Sequence, residues 1–451
     1  MLSRATLRSS TSAVSCLRCT QRRSYAAASS ASVNYEASEA AGTKLISKNI
    51  PGPTSTLALV AKAGTRYQWL PGLSEGLANF AFKNTQKRFA VRIVRETELL
   101  GSQFFANRTR EAVVFGAKFM REDLPYFVEL FAEIASETKY QQYMIDEVIN
   151  PTIDASAHKF FASPAQIALE TAHSVAFHRG LGNSTYPIPH LVAEEVEAYA
   201  AAAYTKSNIA LVSAGVDPSE LSKWTGEFFK SLPSSAPSSL PSLDAVKSKY
   251  YGGETRVAHT GGNAIVIAFP GTSLSRGSAY KPEIDALATL LGGQPSIKWS
   301  AGTSVLSKVV AANPGVSIST NSTQYTDTGL LNITISGPAK VVAKAAKEAA
   351  AAIKSASEGS PAAEDVKKAL AQAKFKAFDA ETADIPAIDL IGLSAITGTV
   401  QTSEESLKAI AGLKESALKS AAKGLFSGKA TVVAVGDLSE LPYAEELGLN
   451  V

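Results

Sequence analysis

The sequence is poor in cysteine. It contains only two, Cys16 and Cys19, and both lie in a basic N-terminal stretch. Cys-x-x-Cys occurs in redox and zinc motifs, but a single pair in a removable leader is interpreted as coincidental. Without that leader the chain has no thiol, which excludes a disulfide, a cysteine nucleophile and a cysteine-ligated iron–sulfur cluster.

Histidine is also scarce, with five in the chain: His158, His173, His178, His190 and His259. Zinc ligands on one helix must be three or four residues apart to share a face. His173 and His178 are five apart, and the pair Glu170 and His173 lacks a third ligand. We therefore predict a surface or half-buried histidine there, no bound metal and no cofactor.

Other motifs that carry chemistry are missing as well. The sequence has no phosphate-binding Gly-x-Gly-x-x-Gly, no P-loop and no Gly-x-Ser-x-Gly nucleophile turn. No apolar run reaches the 18 or more residues that span a bilayer, so membrane association is expected only through a partner.

The excess of positive charge is confined to the N-terminus. The whole chain has 44 Lys and Arg against 41 Asp and Glu. Residues 1–25 contain five Arg and no acidic residue, so residues 26–451 keep 39 basic and 41 acidic residues, a net charge of −2. This balance gives no support to nucleic-acid binding.

An Arg-rich, Ser-rich and acid-poor N-terminus is typical of a mitochondrial transit peptide. We assign residues 1–25 to this leader and predict cleavage between Tyr25 and Ala26, because Arg23 lies two residues before Tyr25. Residues 26–42 are rich in Ala and Ser and are predicted to be a mobile segment.

A short helix is predicted after the turn at Pro71-Gly72. Its apolar face is formed by Leu73, Leu77 and Phe80, which recur at helical spacing. The opposite face carries Glu75, Ala78 and Asn79. It contains little reactive chemistry.

The rest of the chain divides at a Pro/Ser-rich segment. Residues 231–250 are predicted to be a linker, because Pro interrupts helices and sheets and Ser offers little to bury. The predicted domains are then residues 43–230 and residues 251–451.

The two halves look duplicated. Ile209–Leu221 and Ala430–Leu441 both run from an apolar strand through Gly and Asp into Ser-Glu-Leu. Asn263–Phe269 parallels Ser55–Lys62 in the same way. The fold class predicted is α+β, with two homologous halves that each contain a mostly antiparallel sheet and helices packed on one face.

Motifs along both halves resemble the pitrilysin-type zinc peptidases. They are Pro71–Thr85 with Arg88, Glu98–Gly101, Thr109–Glu111, Asp123–Pro125, Thr303–Leu306 and Tyr325–Leu330. This family includes both subunits of the mitochondrial processing peptidase and the core proteins of ubiquinol–cytochrome c reductase. The resemblance covers roughly residues 40–445, and it implies a pitrilysin-like fold.

The resemblance also implies a lost active site. Active members carry His-x-x-Glu-His on this helix, where two His bind zinc and Glu activates water. Alignment places Glu75 and Asn79 at the two His positions and Ala78 at the Glu position. The distal glutamate ligand has no evident counterpart among Asp146, Glu147 and Asp154, and Phe105 stands where the family's edge strand has a substrate-binding Asn.

The chain is therefore identified as a non-catalytic member of the family, and not as an enzyme. The resemblance favours a core subunit of respiratory complex III, which passes electrons from ubiquinol to cytochrome c. It implies core protein 1 and the cytochrome b, cytochrome c1 and iron–sulfur subunits as partners, in a dimeric complex on the matrix side of the inner membrane. The alternative is the non-catalytic, substrate-binding subunit of the processing peptidase.

Overall fold

A computed structural model describes most of the chain: residues 35–186, 191–243, 247–274, 280–295, 302–358, 363–382, 388–398 and 408–451. The predicted leader, its cleavage point at Tyr25 and Ala26, residues 26–34 and His190 lie outside the described residues. Within the described part, no helix combines the length and the apolar character needed to cross a membrane.

The first half is built around a mixed sheet. Its strands are β1 (Glu36–Ala40), β2 (Thr43–Lys48), β3 (Thr54–Ala61), β4 (Gln103–Arg108), β5 (Val113–Met120) and β6 (Ile209–Ala214). Its helices are α1 (Leu73–Phe80), α2 (Ala90–Leu99), α3 (Leu124–Glu137), α4 (Gln142–Met144), α5 (Asn150–Phe161), α6 (Pro164–Phe177), α7 (Ala193–Ala203) and α8 (Pro218–Phe228).

The second half is built in the same way. Its strands are β7 (Gly253–Ala258), β8 (Asn263–Pro270), β9 (Ser317–Gln324), β10 (Gly329–Gly337) and β11 (Thr431–Gly436). Its helices are α9 (Pro282–Leu291), α10 (Val305–Ala312), α11 (Ala339–Glu358), α12 (Ala363–Thr382), α13 (Ile388–Thr397) and α14 (Glu415–Phe426).

The strand orders establish the internal duplication. The first sheet has the order β1-β2-β6-β3-β5-β4, and the second has β7-β11-β8-β10-β9. Once β1 is set aside, the two orders coincide. The pairs β2–β6 and β7–β11 are both parallel, and the remaining strand pairs are antiparallel. The predicted α+β architecture with mostly antiparallel sheets is confirmed.

Each half packs its own helices on one face of its sheet. In the first half, Leu57 and Leu59 of β3 face a core formed with α1, α3, α7 and α8. In the second half, Ile265 and Ile267 of β8 face a core formed with α9, α10, α11 and α14. These two cores agree with the prediction that helices pack on one face of each sheet.

The other face of each sheet is also covered, by a helix from the opposite half. Helix α13 packs on β2, β3 and β6 of the first sheet, and α6 packs on β8 and β11 of the second. Gly392 of α13 allows this close approach, since a Cβ there would lie 2.5 Å from Val60. With both faces buried, the central strands read as nearly continuous apolar runs.

The N-terminal segment differs from its prediction. Residues 26–42 were expected to be mobile, yet Glu36–Ala40 form β1 and pair antiparallel with β2. Four of the five residues are exposed, so β1 depends on backbone hydrogen bonds. Alternating hydrophobicity does not reveal such a strand.

The described part of the linker contains no strand or α-helix after Ser231. Leu232 and Leu243 are nevertheless buried in the core of the first half. The domain boundaries at 43–230 and 251–451 remain a proposal.

A buried ion cluster joins the halves. The Arg66 guanidinium binds both carboxylate oxygens of Asp327, at 2.8 and 2.6 Å, and Glu111 Oε1 at 2.5 Å. Thr326 donates its N–H to Glu111 Oε2 at 2.8 Å, and Ser248 N–H donates to Asp327 at 2.8 Å. Burial opposes ionisation of Asp327, but Arg66 and Ser248 outweigh it and hold the pKa of that carboxyl below its ordinary value.

Replacement of Arg66 tests this cluster. Arg66→Ala leaves Glu111 and Asp327 without their cation, and the expected loss in free energy of unfolding is about 3–5 kcal/mol because an unpaired buried charge is costly. The exposed pair Lys87–Glu137, at 3.1 Å, provides a matched control, since Lys87→Ala should cost about 0–1 kcal/mol. Denaturant titration measures both, and equal small losses would contradict the assignment.

Candidate functional site

Helix α1 positions the candidate site. It begins after Gly72, whose φ of 95° favours glycine. Leu73, Leu77 and Phe80 are buried in the first-half core, as predicted. Gly76 lies against α7, since a Cβ there would be 3.0 Å from Val196. The helix is thereby fixed with its other face toward a cleft.

The cleft has a volume of about 590 Å³ and collects all three predicted site residues. It lies between α1, the turn that follows α1, strand β4 and helix α5. Its lining comprises Glu75, Ala78, Asn79, Ala81, Phe82, Lys83, Phe104, Phe105, Ala106, Asn107, Arg108, Ser156 and Thr185. Phe105 lies on β4, the edge strand, and lines the cleft.

The polar groups on α1 bind each other and β4. Asn79 donates from Nδ2 to the Glu75 carboxylate at 2.9 Å and to the Glu75 backbone carbonyl at 2.9 Å. The other carboxylate oxygen of Glu75 contacts the Arg108 guanidinium at the end of β4. The Glu75 carboxylate therefore forms an ion pair that links α1 to the edge strand β4.

This donor set does not fit a zinc ion. Zinc sites in proteins use three or four Cys, His, Asp or Glu ligands. Here α1 offers one carboxylate already paired with a cation, one amide and the methyl group of Ala78. In the part of the chain that the structure describes, no three His, Cys, Asp or Glu side chains form a group that could hold a metal ion.

The acidic residues considered as distal ligands lie outside the cleft. Asp146, Glu147 and Asp154 are exposed and do not line the cleft. Helix α5 instead contributes Ser156, whose Oγ donates to the Ile153 carbonyl at 2.9 Å. The π-helical turn Ile145–Ile149 precedes α5 and changes the helical phase, which spacing alone did not reveal.

Sequence analysis also missed Arg108 and Thr185. Arg108 ends a strand with little alternation, and Thr185 is distant in sequence from α1. Neither position carries a motif, so no local signal identified them. Their presence in the cleft is a consequence of tertiary packing.

The turn after α1 is supported by aromatic packing and hydrogen bonds. Phe82 has a φ of 62°, in the left-handed region, and packs against Phe104, Phe115 and Phe131. A bulky residue with this backbone conformation requires support from its surroundings. Part of that support comes from Thr85 and Arg88, which both bind the buried carboxylate of Glu133.

The second half has a counterpart of the α1–β4 contact. Asp285 of α9 accepts hydrogen bonds from Ser322 and Gln324 of β9, both at 2.8 Å. Gln324 and Arg108 occupy equivalent ends of the last strand in their sheets. In both halves an acidic residue on the helix is tied to the edge strand, so Glu75 has a structural equivalent.

His173 is buried between the halves and differs from the expected surface or half-buried histidine. Its Nδ1–H donates to the Leu169 carbonyl at 2.8 Å, and its Nε2 accepts from the Tyr325 hydroxyl at 2.9 Å. Glu170 forms an ion pair with Arg110. Burial, together with the nearby Arg110 charge, lowers the pKa of His173 to about 3.

Comparisons with known proteins place these features in a family. Residues 44–187 match the profile described as insulinase, peptidase family M16. Residues 190–373 match the profile described as the peptidase M16 inactive domain.

Three relatives share one description, cytochrome b-c1 complex subunit 2, mitochondrial. The Neurospora crassa protein is 48% identical over 439 residues, 96% of this chain and 95% of the relative. The Yarrowia lipolytica protein is 36% identical, with 92% and 97% covered. The Rattus norvegicus protein is 26% identical, with 88% of each chain covered.

A solved protease from Helicobacter pylori has a similar structure. Its TM-score is 0.77 at 15% sequence identity, and the match covers 89% of this chain and 99% of that protein. At this identity the comparison shows a shared fold.

The pKa of His173 predicts a pH dependence of stability. The unfolded chain takes up a proton near pH 6.5, but folded His173 does so only near pH 3. Its contribution is therefore complete above pH 6.5 and is lost as the pH falls. Between pH 7.5 and 5.5 the loss should be roughly 1.4 kcal/mol.

The variant His173→Gln isolates this effect. Burial raises the pKa of Asp389 to about 6, so this residue stabilises the fold increasingly as the pH falls over the same range. Comparing the variant with the parent removes this contribution, because both proteins contain Asp389. The free energy of unfolding of the parent should decrease more than that of the variant. Parallel pH profiles would show that His173 is not held neutral.

Proposed function

Because the chain belongs to the M16 peptidase family, and because a relative named as a cytochrome b-c1 complex subunit is 48% identical over 96% of it, we propose that it is a non-catalytic core subunit of respiratory complex III. The main support for this proposal is that the alignment covers nearly all of both chains. The chain would serve the assembly and stability of the complex that passes electrons from ubiquinol to cytochrome c.

The cleft supports a non-catalytic role. We assign Glu75, Ala78 and Asn79 to the positions that hold His, Glu and His in active members. Ala78 has no group to activate water, and Glu75 is paired with Arg108. The position on α5 that faces the cleft is Ser156 rather than a carboxylate. Peptide hydrolysis at this site would lack both a zinc ligand set and a base.

The relatives and the N-terminus support a proposal for the partners and the location. The partners proposed are core protein 1 and the cytochrome b, cytochrome c1 and iron–sulfur subunits, in a dimeric complex. The electron carriers would belong to those partners. The Arg-rich, acid-poor residues 1–25 and the mitochondrial relatives support import and a peripheral position on the matrix side of the inner membrane.

The processing-peptidase alternative is not favoured. The relatives described above are named as complex III subunits, and they match the chain over 88% or more of its length. No observation on the cleft requires affinity for presequences.

Blue-native electrophoresis of mitochondria tests the assignment. The chain should migrate with haem b and haem c at the size of complex III, because a core subunit is buried in an obligate assembly. Migration only as a two-subunit pair without haem would contradict the proposal.

Complementation separates scaffold from catalyst. In cells that lack the chain, Ala78→Ser should restore assembled complex and quinol–cytochrome c reductase activity to the parental level, because Ala78 supplies no chemistry. Arg66→Ala should restore less of both, because it weakens the joint between the halves. Loss of reductase activity with Ala78→Ser, at normal complex abundance, would indicate a catalytic contribution from the cleft.

A further inference from the structure

The two sheets differ at one edge. In the first sheet, β1 pairs antiparallel with β2 and forms a sixth strand. In the second sheet the equivalent of β2 is β7, which stands at the end of the strand order. The duplication therefore leaves one strand position of the second sheet without a counterpart among the described residues.

The free side of β7 has a defined set of backbone groups. Gly253 N–H donates to the Ala430 carbonyl at 3.1 Å, and His259 N–H donates to the Gly436 carbonyl at 3.2 Å. Because alternate residues of a strand point to opposite sides, Glu254, Arg256 and Ala258 direct their N–H and C=O groups away from β11. Within the described ranges, no hydrogen bond engages these outward groups.

Strand β1 shows how a further strand would fit. Lys48 of β2 and Val257 of β7 are equivalent, since their partners Ala214 and Val435 each precede the matched glycine of the duplicated motif. Leu45 and Ser47, which pair with β1, then correspond to Glu254 and Arg256. The position beside β7 accordingly suits an antiparallel strand of about five residues.

The charged side chains of β7 do not block strand pairing at this edge. Charged residues on edge strands usually oppose unwanted pairing. Here Arg256 donates to the carbonyls of Leu438, Leu441 and Pro442, and its guanidinium lies 3.7 Å from the Tyr443 ring centroid. Glu254 accepts from Ala444 N–H at 3.3 Å. Both side chains are therefore bound to residues 438–444, which follow β11.

We infer that β7 is the docking edge for an extended segment of a different subunit of the assembly, which adds to the second sheet as an antiparallel sixth strand. A segment like β1, with small side chains and an acidic residue near its carboxyl end, fits best. Lys247 and Lys249 are exposed just before β7, where that end would lie. A second copy of this chain is a poorer occupant, because its own strand of this kind is already paired with β2.

Hydrogen exchange in the intact complex tests this docking. The outward amides of Glu254, Arg256 and Ala258 should exchange at rates close to the inward amides of Thr255 and Val257, because both sets would be hydrogen-bonded. The amide of Thr260, exposed beyond the strand, gives the unprotected reference. Outward amides that exchange at rates closer to that of Thr260 would overturn the inference.

Cross-linking identifies the occupant. Cys16 and Cys19 are the only cysteines in the chain, so Ala258→Cys places a unique thiol outside the predicted leader. A photoreactive maleimide on this thiol, in the purified complex, should capture one short stretch of a different subunit. Thr260→Cys is the matched control and should not capture the same stretch.

Three cross-linking results would overturn the inference: adducts to this chain alone, adducts to lipid alone, and the same stretch captured equally from both positions. The inference rests on the proposed membership in the complex. Comigration with haem tests that membership separately. An unprotected β7 in a chain that comigrates with haem would therefore reject the docking edge and leave the proposed function intact.

Discussion

The ion cluster of Arg66, Glu111 and Asp327 is the constraint on which the rest of the structure depends. It places a guanidinium and two carboxylates between the halves, in surroundings where each charge requires the others. The exchanged helices act in the same direction, because α6 buries one face of the second sheet and α13 buries one face of the first. Neither half has a complete core without the other.

The packing of α1 explains why the cleft keeps its shape. Helix α1 is held by its apolar face and by Gly76, independently of any chemistry on its exposed side. The Glu75–Arg108 pair then fastens α1 to the edge strand, as Asp285 does with Ser322 and Gln324 in the second half. A helix supported in this way keeps its position when it carries no metal ligands. At this contact the two halves are alike, because in each an acidic residue on the helix binds the edge strand.

Much of the fold could be predicted from local patterns. The apolar face of α1, the strands around Gly215 and Gly436, and the duplication were all visible in residue spacing. The pairing of Thr109–Glu111 with Tyr325–Leu330 was not, although both segments were recognised, because contacts more than 200 residues apart leave no periodic signal. The packing of α6 and α13 on the opposite half was not predicted for the same reason. An Ala-rich face on α6 indicates that this face is buried, but it does not indicate which surface covers it. Ser156 was missed because a π-helical turn shifts the phase of α5.

We propose that the cleft keeps its structure without the catalytic groups of active family members. The triple variant Glu75→His, Ala78→Glu, Asn79→His tests it most directly, with zinc content and peptide cleavage measured on the purified protein. The account predicts substoichiometric zinc and no cleavage, because Ser156 supplies no third ligand and Arg108 leaves a positive charge beside the two imidazoles. One zinc ion per chain together with zinc-dependent cleavage would contradict it.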